Sequence, residues 1–181
     1  MSHPRNHIRT YTGVYMDPFD MTPDQVRIAD IAHALSLTTR ASGHIHHFYS
    51  VAQHCVNCAL EAKARGLSKQ EQLVCLLHDA SESYIADVPR PVKHRLTGYA
   101  EAEERVTEVI AQALHIPALA EAEERGWHEI DDALLYYEFL NLTGAKVFET
   151  APPIAMQHDF SLRDMAQVRD QFIALYEELR S

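Results

Sequence analysis

The chain has 181 residues, 46% of them hydrophobic, which suits one compact domain with a sizeable core better than two. Sixteen Lys and Arg stand against 26 Asp and Glu, a formal net charge of −10. That acidity argues against gripping long nucleic acid or an anionic membrane, but a local metal or a few cations still leave room for a small phosphorylated ligand.

No apolar stretch approaches the roughly 20 residues of a membrane helix, and Met1 to Tyr15 holds no signal-peptide core. Three cysteines make no disulfide scaffold, so a reducing cytoplasm is the expected location. Ile8 to Asp20 is rich in Thr, Tyr and Val, with Gly13 and Pro18 as breakers, and predicts a short extended hairpin or irregular lead-in. After Pro23 the pattern turns helical. Ile28, Ile31, Ala32 and Leu35 keep the spacing of one buried stripe, and Gly43 ends that segment.

A second helix is expected from about Ser50, a good N-cap, to about Arg65. A third follows Ser68 with Leu73, Leu76, Leu77 and Ala80 as its core face. Two prolines give Val88 to Pro91 an extended path. Val106, Val109, Ile110, Ala113 and Leu114 mark a fourth helix closed before Pro117. A fifth spans roughly Trp127 to Leu142, and after Pro152-Pro153 a sixth carries Met165, Val168, Phe172, Leu175 and Leu179. The fold class is therefore all-α: a single helical bundle over residues 1–181, with its core at 23–142 and a C-terminal helix at about 161–180.

Three of these helices deliver a polar group to an apolar stripe. His78-Asp79 follows Leu76-Leu77, with Glu82 at i+4 from the histidine and i+3 from the aspartate, so on their side of a continuous helix. His54 stands in the stripe of Val51 and Cys58, and Asp131 in that of Trp127 and Leu134. Taken singly, each reads as a hydrogen-bonded core residue or a helix-boundary accident. Buried carboxylates are rare unless paired or metal-bound, and one shared centre explains three misplaced groups better than three accidents. Cys55-Val56-Asn57-Cys58 has no second cysteine pair and reads as core.

The order His, His-Asp, Asp resembles that of the HD-domain metal-dependent phosphohydrolases. Longer segments are similar to their 5′-deoxynucleotidase branch (YfbR-like proteins and prophage YfdR-like relatives). They are Asp30 to Ser36, Arg40 with Gly43-His44, Phe48 to His54, Leu77 to Tyr84 and Asp87 to Lys93. The resemblance implies metal ligation by His54, His78, Asp79 and a fourth acid. A prophage-type pattern, Asp-x-x-Leu-Leu-x-x-Glu, selects Asp131 with Leu134, Leu135 and Glu138, whereas the pattern Asp-Ala-Leu selects Asp132. Helical phase prefers Asp131.

Two imidazoles and two carboxylates suit Mn, Co, Fe, Ni or Zn and do not choose among them. By the resemblance Glu82 is the general acid/base, Asp87 assists it, and Arg40 and Lys93 receive the substrate phosphate. None of His44, His46 and His47 is assigned as a ligand. The activity implied is hydrolysis of deoxynucleoside 5′-monophosphates. A deoxynucleoside triphosphate triphosphohydrolase, with Arg90, His94 and Arg95 as further cations, is the alternative. A helical nucleotide-binding module whose metal only staples the fold is the non-enzymatic one. Homo-oligomers are expected by resemblance.

Overall fold

The computed structural model describes residues 5–116 and 121–181. It is mostly helical, with one small antiparallel hairpin at its start. Strands β1 (Ile8–Arg9) and β2 (Tyr15–Met16) pair Ile8 with Met16 and Arg9 with Tyr15. Gly13 permits the turn at φ 95°, a region closed to most side chains. Met16 is fully buried and pins this lead-in to the helical core.

A 3-10 turn at Pro23–Gln25 precedes α1 (Ile28–Leu37). The helix stops at Leu37, earlier than Gly43. Residues 40–43 instead form a tight turn with Ala41 and Ser42 at positive φ, and Thr39 bridges to Ser50. This turn brings Arg40 beside the start of α2 (Val51–Ala64), whose N-cap Ser50 accepts from the amide of Gln53. Helix α2 packs on α1, α3, α7 and α8, so nearly all its faces are buried. That is unusual for a helix carrying Gln53, His54, Asn57 and Glu61, and each must find a partner inside.

Helix α3 (Lys69–Leu77) begins with the capping box of Ser68 and Glu71 and ends at Leu77. Residues 78–82 do not continue it as the sequence predicts. The backbone tightens there into i→i+3 bonds, Ala80 to Leu77 and Glu82 to Asp79, before α4 (Glu82–Ile85). His78 turns its Nδ1–H onto the carbonyl of Cys75 at 2.8 Å, the acceptor that a continuing α-helix would offer to the Asp79 amide. The extended path expected for Val88 to Pro91 ends at Pro89: a single helical turn, α5 (Arg90–Lys93), follows, because Pro91 falls in the first turn, where a missing N–H costs nothing.

Helix α6 (Tyr99–Leu114) ends on His115 in the left-handed region; Pro117 lies outside the described residues. Helix α7 (Glu121–Thr143) starts before Trp127, and α8 (Met165–Arg180) starts at an Asp164 cap. Val168, Phe172, Tyr176 and Leu179 of α8 close the main core against α1, α2 and α3, while Met165 stays partly exposed. Among the described residues no helix is long and apolar enough to cross a membrane.

Candidate metal centre

The centre lies where α2, the turn after α3, and α7 meet. His54 Nε2 is 3.2 Å from His78 Nε2, 3.1 Å from Asp131 Oδ1 and 3.7 Å from Asp79 Oδ2. His78 Nε2 is 3.2 Å from the same Asp79 oxygen and 3.8 Å from the same Asp131 oxygen. Donors held about 2.1 Å from one ion at tetrahedral angles stand about 3.4 Å apart. The five separations bracket that value.

Hydrogen bonds on the outer side settle what the imidazoles present. His54 Nδ1 meets Glu138 Oε1 at 2.6 Å, and His78 Nδ1 meets the Cys75 carbonyl. Both partners only accept, so each Nδ1 carries the proton and donates. In the neutral rings both Nε2 lone pairs therefore face each other and two carboxylate oxygens. Four electron-rich atoms aimed at one point repel unless a cation lies among them. Outward N–H bonds to carboxylate and carbonyl are also how metal-ligating histidines are usually fixed. The donor set fits a divalent ion.

The protonation equilibria tell the same story. Burial and Arg40 push His54 down, but Cys58, Glu138 and Asp131 outweigh them and leave it well above its ordinary value. His78 is likewise raised: burial opposes its charge, and Asp79 and Asp131 outweigh that. Burial disfavours the charges of Asp79 and Asp131, yet the imidazoles hold both far below the usual carboxylate range. The pocket is a sink for positive charge.

The adjacent Asp132 turns outward and lies 3.4 Å from Arg90, so only Asp131 of that pair reaches the histidines. Glu82 is buried beside the centre. Its Oε1 meets Lys93 Nζ at 3.4 Å, and its Oε2 is buried with no partner among the described residues. Burial, then Asp79 and Asp87, push its carboxyl up to about 9. Asp87 is raised too, mainly by burial, and its Oδ2 is similarly unpartnered.

Arg40 is no surface charge. Its Nη1 lies 3.4 Å from Asp79 and its Nε 3.4 Å from Glu138. Lys93 bridges Glu82 and Glu103, the latter at 2.6 Å.

Cys55, Cys58 and Cys75 are free and buried. Two of them also come within ligand reach: His54, Cys58 and His78 form one cluster, and Cys55, His78 and Asp79 another, with donor atoms within 4.8 Å. The Cys58 sulfur lies 3.6 Å from Nε2 and 3.9 Å from Nδ1 of His54. Near-equal contact with both ring nitrogens puts it against the side of the ring, off the line of the Nε2 lone pair. Burial pushes its thiol up to about 11, and with the sulfur off the Nε2 lone-pair line the nitrogen/oxygen set is the better one. His47 donates to the Phe160 carbonyl at 2.9 Å and His44 is exposed.

Sequence reasoning named Glu138 only as a spacing marker. It is 1% exposed and binds both His54 and Arg40. Its signal was available: seven residues after Asp131, it falls on the same helical face.

No family model matches the chain. The chain is 36% identical over 110 residues to the uncharacterized protein YfdR of Escherichia coli (strain K12), covering 61% of this chain and 59% of that one. It is 35% identical over 119 residues to the uncharacterized protein RCAP_rcc00048 of Rhodobacter capsulatus, covering 63% and 61%. The match thus spans about three-fifths of the length of these curated relatives.

Proposed function

We propose that the chain is a divalent-metal-dependent phosphohydrolase of the HD-domain type acting on deoxynucleotides, most simply a 5′-deoxynucleotidase releasing deoxynucleoside and phosphate. The observation that carries this reading is the convergence of His54 Nε2, His78 Nε2, Asp79 Oδ2 and Asp131 Oδ1 with the outer imidazole nitrogens already committed. A divalent ion held there supplies a Lewis acid for a phosphoryl oxygen and acidifies water.

The chain's own residues supply the rest. Glu82 presents an unpartnered carboxyl oxygen beside Asp79, suited to give a proton to the departing alkoxide. Asp87 offers a second unpartnered oxygen to orient the attacking water. Arg40, steadied by Asp79 and Glu138, keeps guanidinium N–H groups for a phosphate. Lys93 adds a second cation next to Glu82.

One observation favours the triphosphohydrolase as a second reading. Arg90, 61% exposed, lies 3.5 Å from Asp131 Oδ2, a further cation at the rim. Incubating the purified protein with deoxynucleoside mono- and triphosphates and Mn or Co, and scoring phosphate against triphosphate, separates the two. We expect metal-dependent release of phosphate from the monophosphates, abolished by chelator. Turnover of neither class overturns both readings and leaves the binding module.

A further inference from the structure

Glu138 ties together groups with distinct roles. Its Oε1 accepts from His54 Nδ1 at 2.6 Å and from the Tyr49 hydroxyl at 3.2 Å, and its Oε2 faces Arg40 Nε at 3.4 Å. Behind it the bonding continues. Asn57 Nδ2 donates to the Tyr49 oxygen at 2.9 Å and to the Asp159 carbonyl at 3.2 Å. Asp159 belongs to the strap between α7 and α8, also gripped by Gln53, which donates to the Asp159 and Ser161 carbonyls. Tyr49 is fully buried, and Asn57 nearly so.

Glu138 holds two groups that the proposed reaction uses differently: an imidazole of the metal set, and the cation that in turn touches the ligand Asp79.

We infer that Glu138 is a positioning residue of the metal centre. It keeps the His54 proton on Nδ1 so that Nε2 faces the ion, and it holds Arg40 against Asp79. The Tyr49 hydroxyl, itself held by Asn57, steadies its Oε1. The inference rests on the metal-centre reading and adds to it the residue on which affinity depends, since outer partners of ligating histidines typically contribute roughly 10–100-fold to metal binding.

The chain's single tryptophan, Trp127, has its ring 5.5 Å from that of His78. Quenching of its fluorescence by Co(II) therefore reports metal uptake without any substrate. Titrations of the wild type, Glu138→Gln and Tyr49→Phe test the inference. Glu138→Gln keeps the shape and an acceptor oxygen but not the charge; Tyr49→Phe removes one hydroxyl and guards against a folding failure of the first variant.

We expect Co(II) affinity to fall roughly 10–100-fold in Glu138→Gln and by less in Tyr49→Phe, with a shifted Co(II) ligand-field spectrum in both. A merely structural role would leave the spectrum of the folded fraction unchanged. Equal affinity and identical spectra in wild type and variants overturn the inference alone. Absence of Co(II) binding by the wild type overturns the metal-centre reading, and the inference with it.

Discussion

Helix α2 carries two buried imidazole–carboxylate pairs, and they differ in what surrounds them. At its C-terminal end Glu61 accepts from Arg65 Nε at 2.8 Å, the Ala155 amide at 2.7 Å and His158 Nε2 at 2.8 Å. These donors, led by Arg65, overcome burial and keep the carboxyl below its ordinary value. The carboxylate is donor-rich, and it fastens the strap to the helix. Near the other end, the His54–Glu138 pair has the opposite balance, because beyond His54 converge the acceptors of His78, Asp79 and Asp131. Burial and pairing are thus common to a fastener and a ligand site. What lies behind the imidazole separates them: His158 Nδ1 meets no partner among the described residues, whereas three acceptors converge behind His54.

Substitutions at the metal centre and at the fastener break that comparison in different ways. The largest effect is on chemistry: Glu82→Ala lowers metal-dependent turnover roughly 10²–10⁴-fold while cobalt uptake and thermal stability hold. Undiminished turnover would remove Glu82 from the reaction. At the fastener, Glu61→Ala leaves the half-buried Arg65 and the buried His158 imidazole unmatched and costs about 3 kcal/mol, read as a lower urea midpoint, with cobalt affinity of the folded protein unchanged. A lost cobalt affinity there would mean the two pairs form one unit.

The smallest effect is in pH dependence. Between the ordinary carboxyl range and about 9, Glu82 is ionised in the unfolded chain and protonated in the folded one. Folding then takes up a proton, so this group's contribution to stability falls as pH rises through that window. Glu82→Gln removes the slope. With chelator present, the variant's Tm advantage over wild type should widen from about pH 5 to about pH 8; parallel profiles would mean that Glu82 is ionised in the folded protein.

The helical architecture was legible because its stripes are local: Ile31 and Leu35, Leu73 and Leu76, Phe172 and Leu179 are buried as their spacing predicts. The meeting of His54, His78, Asp79 and Asp131 was legible too, since each was an ionisable group on an apolar stripe. Other features were not, for physical reasons. The end of α3 at Leu77 depends on an imidazole binding its own helix's carbonyl, which no hydropathy pattern encodes. Arg40 looks like any loop arginine until Glu138 and Asp79, 98 and 39 residues further along, are brought against it. Glu61 and Gln53 look like a solvated helix face until the strap returns from beyond α7 to cover them. Helical phase shows which side a residue takes but not what comes to lie there.

The central claim is that His54, His78, Asp79 and Asp131 hold one divalent ion. Equilibrium dialysis against Mn or Co, with metal counted per chain, tests it directly on the wild type and on His78→Ala, whose fold is checked by circular dichroism. The account predicts one bound ion per chain in the wild type and none in the variant. A wild type that retains no ion, or a folded His78→Ala protein that retains as much, would contradict it.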